Sequence, residues 1–68
     1  MSAASDFYLA RADQDARDAL TCGLDNVRER HLRSEAAWRA MADKVMRSEA
    51  MREQADAEKS ALLPPLPA

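Results

Sequence analysis

The sequence predicts an all-α protein: a helical hairpin with a short helix over about 6–22 and a long helix over about 26–60. Three observations carry this reading. Between Asp6 and Ser60 the chain is dominated by Ala, Arg, Glu, Asp, Met and Leu, most of them good helix formers. There is no Ile, and two Val and three aromatics are too few β-branched and aromatic side chains to furnish a sheet. Apolar residues also recur at helical spacing along most of the chain.

The elements follow in order. Residues 1–5 are expected to be a flexible N-terminus, 6–60 the hairpin domain and 61–68 a Pro-rich tail. Gly23, the single glycine, marks the turn, because glycine is the usual left-handed residue just past a helix end. Asn26 followed by Glu29 has capping-box spacing and places the start of the second helix. Pro64 forces that helix to end before it, and the run from Leu62 to Ala68 favours extended backbone. An alternative is a single long helix in a coiled coil. Leu9, Ala12, Ala16, Ala19, Leu20, Leu24, Val27, Trp38, Met41 and Val45 share one side of an uninterrupted helix. A glycine inside a helix costs only about 1 kcal/mol relative to alanine.

A stripe runs through Leu20, Leu24, Val27, His31, Ser34, Trp38, Met41, Val45 and Ser48, alternating by four and three. This is the heptad spacing that seats one helix against another. Within it, Arg33-Ser34-Glu35-Ala36 recurs two heptads later as Arg47-Ser48-Glu49-Ala50. Charge is segregated as well. Residues 1–27 hold five acids and two bases, 28–52 seven bases and four acids, so the two helices attract each other when folded back.

Composition bounds the function. Sixty-eight residues make one domain near the size where a hydrophobic core becomes marginal, and 15 of the apolar residues are alanine. A single Cys excludes a disulfide framework, and one Cys with one His cannot make a tetrahedral zinc site. His31 and Glu35 are four apart, yet no second His completes a metal set, so no metal or cofactor is expected. Cys22 falls at a helix C-terminus, where the dipole opposes a thiolate nucleophile. Asp13, Asp15 and Asp18 read as a solvated face, and no glycine-rich phosphate loop is present. No enzyme activity and no small-molecule substrate are expected. The N-terminus lacks the features of a secretory signal and no stretch approaches the roughly 20 apolar residues of a membrane span, which points to the cytoplasm.

The block from Leu24 to Trp38, with Asn26-Val27-Arg28-Glu29-Arg30 at its head, resembles a family of short, uncharacterised bacterial helical proteins. The phrase Phe7-Tyr8-Leu9-Ala10-Arg11-Ala12 belongs to the same likeness, which covers Phe7 to about Lys59. The resemblance implies an all-helical class and no particular activity.

The functional expectation is a small interaction protein, a homo-oligomer or adaptor. Its partner is a second copy, as a dimer or tetramer that completes a helical bundle, or another helical protein. The contact falls to Leu20, Leu24, Val27, His31, Trp38, Met41 and Val45. The alternative is a regulatory module that touches nucleic acid, or a nucleic-acid-binding protein, through the basic stretch 28–52. Its candidate patch is Arg28, Arg30, Arg33 and Arg39. Interleaved acids and a pI of about 5.2 weigh against it and against a membrane surface.

Overall fold

The computed structural model describes residues 2–64, and these form a helical hairpin. Helix α1 spans Ala3–Thr21 and helix α2 Asp25–Leu62, joined by the three residues 22–24. The two helices pack side by side, so the chain takes the hairpin rather than the uninterrupted rod. At about 1.5 Å per residue, the 19 residues of α1 cover only half the length of the 38-residue α2. The molecule is accordingly long and thin, 68 × 15 × 12 Å.

Helix α1 starts three residues earlier than expected and takes in most of the segment assigned to a flexible N-terminus. A reciprocal serine box explains the difference. Ser5 N–H donates to Ser2 Oγ at 3.2 Å, and Ser2 N–H donates to Ser5 Oγ at 3.1 Å. The usual box has Glu or Gln at its fourth position, so a serine there gave no signal in the sequence. Ser5 Oγ also donates to Ser2 carbonyl at 3.0 Å, which lets this fully buried hydroxyl satisfy itself locally.

The turn departs from expectation in two respects. Gly23 does not adopt positive φ, and the C-cap of α1 is Cys22 in extended conformation. Helix α2 is not capped by Asn26; its N-cap is Leu24, with no side-chain cap bond. Arg28 is the physical reason for the first. Its Nη2 donates to Cys22 carbonyl at 2.7 Å and its Nε to Ala19 carbonyl at 3.3 Å. A guanidinium thus satisfies the carbonyls that a left-handed glycine cap would otherwise serve, and adds positive charge at the negative end of the helix. At the far end, Leu63 is extended before Pro64, as its position before a proline requires. Ala61 and Leu62, assigned to the tail, continue α2; residues 65–68 lie outside the described residues.

The buried core consists of Ser5, Ala12, Ala19 and Ala42. Ser5, Ala12 and Ala19 are seven apart on α1 and present one line of small side chains, which permits close approach of the helices. On α2 the half-buried or buried line runs Val27, His31, Ser34, Trp38, Ala42, Val45, Glu49. This corrects the heptad stripe beyond Trp38: Met41 and Ser48 are exposed, and Ala42 and Glu49 take the inner positions. A straight helix drifts about 20° per heptad relative to a strict 3.5 repeat. Helices in contact over only half of α2 have no reason to supercoil, so the inner line follows 3.6 instead. Beyond Glu49 every described residue is exposed.

The small-residue line makes a direct prediction. Ala12→Leu forces the helices apart and is expected to destabilise the hairpin by about 1–3 kcal/mol. Ala10→Leu, on the exposed side of the same helix, changes stability by less than about 0.5 kcal/mol. Urea unfolding followed by circular dichroism distinguishes them; equal effects would mean that the Ala12 contact is not tight.

Candidate functional site

All three aromatic side chains of the chain meet where α1 crosses the middle of α2. Tyr8 stacks on Trp38 with centroids 5.8 Å apart and planes at 26°. Phe7 stands edge-on to Trp38 at 6.0 Å and edge-on to Tyr8 at 5.8 Å. The Arg11 guanidinium lies over the Trp38 ring, 5.5 Å from its centroid, in cation–π geometry. Trp38, expected among the contact residues of the stripe, therefore directs its ring at α1. Phe7 and Tyr8 were not among the expected site residues. A signal for Tyr8 was available: Tyr8 and Trp38 are equidistant in sequence from Gly23, so a hairpin turning there brings them together.

The same equidistance relates Asp15 and His31, whose Oδ1 and Nδ1 atoms are 3.1 Å apart. The neighbouring Ser34 hydroxyl, then the His31 ring, hold the Asp15 carboxyl below its ordinary value, while partial burial opposes them. Its other oxygen, Oδ2, is shielded from solvent and closes no full hydrogen bond among the described residues. Farther along, Arg39 joins the helices through two carboxylates. Nη2 lies 2.8 Å from Glu35 Oε2 and 3.2 Å from Asp13 Oδ1. Those acids, Glu35 first and then Asp13, hold the guanidinium more firmly in its charged form. The attraction between an acidic first helix and a basic second one thus has named partners. His31 pairs across to α1 rather than along its own helix to Glu35.

At the turn end, an open groove of about 480 Å³ is lined by Ala16, Ala19, Leu20, Arg28, Leu32 and Glu35. Leu20 is 86% exposed, Leu24 63% and Leu32 48%. Leu32 lay outside the expected interface because it falls off the heptad stripe; only the docking of α1 shows that it flanks a groove. Of the other expected interface residues, Val27, His31, Trp38 and Val45 are half-buried on the α1-facing side of α2, and Met41 is exposed. The stripe is thus divided between the intramolecular seam and an outer surface.

The expected basic patch is not one surface. Arg28 and Arg39 are occupied by α1 carbonyls and carboxylates. At about 100° per residue, Arg30 and Arg33 project from the opposite side of α2, and both are exposed. Cys22 is half-buried at the end of α1, with its Sγ 3.4 Å from Leu24 carbonyl. No described helix is long and apolar enough to cross a membrane.

No family model, curated protein or solved structure matches this chain.

Tyr8 tests the aromatic contact. Tyr8→Ala removes the stacked ring and is expected to cost about 1 kcal/mol or more, combining lost stacking with lost burial. Trp38 fluorescence should shift to the red in the folded variant as the ring gains water. An unchanged emission maximum would show that Tyr8 does not cover Trp38 in solution.

Proposed function

We propose that this chain is a small non-enzymatic interaction protein whose partner is a second copy of itself. One observation supports the reading above others: most of the large aliphatic side chains among the described residues lie outside the hairpin rather than within it. The buried interior is three alanines and a serine, while Leu20, Leu24, Leu32, Met51, Leu62 and Leu63 are exposed. Burying apolar surface contributes roughly 25 cal/mol per Å², and an alanine core supplies little of it. Ordering the chain costs about 1.5 kcal/mol per residue, which small helical domains commonly offset by association.

Leu20, Leu24 and Leu32 border the groove at the turn end and form the surface best suited to a helical partner. The two-helix architecture offers the standard half of a four-helix bundle. Val27, Trp38 and Val45 serve this function indirectly, by fixing the hairpin that presents the leucines. A cytoplasmic location fits a chain whose single cysteine is a free thiol. Nucleic-acid binding through 28–52 is the less favoured reading, because two of its four candidate arginines are engaged within the hairpin.

Light scattering after size-exclusion chromatography tests the proposal at low and high salt. The wild-type mass is expected to be a multiple of the 7.5 kDa chain in both. Leu20→Glu with Leu32→Glu should reduce it to one chain and lower the midpoint of thermal unfolding. A wild-type monomer over the whole concentration range would sink the proposal, as would an unchanged mass in the double variant.

A further inference from the structure

Folding creates one cluster of potential metal ligands that neither helix contains alone. Asp15, Asp18 and His31 each offer a ligand atom, and these atoms lie within 4.8 Å of one another. All three residues are half-buried. Asp15 and Asp18 share a face of α1, since side chains three apart are neighbours on a helix, and His31 reaches them from α2. We propose that these three side chains form a binding site for a divalent transition-metal ion of the zinc class, clamped between the helices.

Geometry supports the assignment. Zinc holds imidazole nitrogen and carboxylate oxygen at about 2.0–2.2 Å, so two ligands at a tetrahedral angle sit roughly 3.4 Å apart. Asp15 Oδ1 and His31 Nδ1 are already 3.1 Å apart. The Asp18 ligand atom already lies within 4.8 Å of both, so a side-chain rotation can bring it to the same point.

A second, independent observation comes from Asp15 itself. Its side chain is 13% exposed, and Oδ2 is shielded from water, with the Ser34 hydroxyl nearby but no full hydrogen bond closed among the described residues. A shielded carboxylate oxygen without a well-formed hydrogen bond is costly, and a bound cation would satisfy it. Two carboxylates three apart on a helix also repel each other, and a divalent ion reverses that repulsion. Gln14 Nε2 donates to Asp18 Oδ1 at 3.0 Å, an outer-shell contact that orients the second acid.

The donor set selects the class of ion. One imidazole nitrogen with two carboxylates suits zinc and its neighbours. Calcium takes six to eight oxygen ligands and magnesium a near-octahedral oxygen shell, and the cluster supplies neither. Three protein ligands leave one position for water. The site was not legible in the sequence, because His31 has only Glu35 as an acid one turn along its own helix, and Glu35 is taken by Arg39. Since the ligands come from both helices, an ion bound to the folded chain and not to the unfolded one would stabilise the hairpin by mass action.

Cobalt(II) is the probe, because its d–d absorption reports coordination directly. The full-length chain, freed of metal with a chelator, is titrated with cobalt(II) and followed by visible absorption and thermal unfolding. One saturable site per chain with a raised unfolding temperature is expected, with zinc displacing the cobalt and excess magnesium leaving both signals unchanged. His31→Gln and Asp18→Asn should each weaken binding by about tenfold or more. The Asp18 carboxylate bonds to Gln14 on its own helix, so Asp18→Asn should remain folded and separate metal ligation from the stability of the Asp15–His31 pair. Cys22→Ser should bind as the wild type does. No saturable binding would overturn the proposal, as would equal affinity in Asp18→Asn or loss of binding in Cys22→Ser.

Discussion

The close approach of two helices along small side chains is the constraint on which the rest of this molecule depends. Ser5, Ala12 and Ala19 give α1 an inner edge with almost no relief, and Ala42 answers them from α2. Because these side chains are short, groups on either side of the line come within bonding distance of the opposite helix. Trp38 reaches Tyr8, His31 reaches Asp15, and Arg39 reaches Asp13. A bulkier core would stabilise the pair more strongly by burial but would hold these flanking groups too far apart to touch.

The same constraint explains why apolar surface remains outside. Alanine fills the seam, so the leucines have no room in it and are left on the flanks. Leu20 and Leu32 border a groove whose polar rim, Arg28 and Glu35, is already bonded within the chain. That surface is apolar between charges that are spent, which suits a contact driven by burial more than one driven by charge. The polar ladder across the helices instead fixes register, since each surface pair adds little stability by itself.

Arg28 shows how a local rule can be displaced by a tertiary contact. A lone glycine at the end of a helix favours the left-handed cap, and Gly23 has open space where a side chain would sit. Yet its backbone is not left-handed, because a guanidinium from the next helix takes the terminal carbonyls. Once the carbonyls have a donor, the special backbone geometry has nothing left to satisfy. The N-terminal serine box illustrates the converse, a local device that works with a residue pair outside its usual pattern.

The sequence by itself determined the all-helical class, the end of the long helix before Pro64 and the opposite charge of the chain's two halves, while the choice between a break at Gly23 and one long rod fell to the packing of α1 on α2. These follow from residue propensities and from proline chemistry, which act over a few neighbours. It also placed Trp38 and His31 on the seam. Tertiary structure alone decided which stripe faces inward beyond Trp38, because that depends on whether the helices supercoil. It decided that Arg28 and Arg39 serve the hairpin rather than an outside surface, and that Leu32 borders a groove. It also decided that Asp15 and Asp18 meet His31, since a cluster drawn from two helices exists only once their register is set.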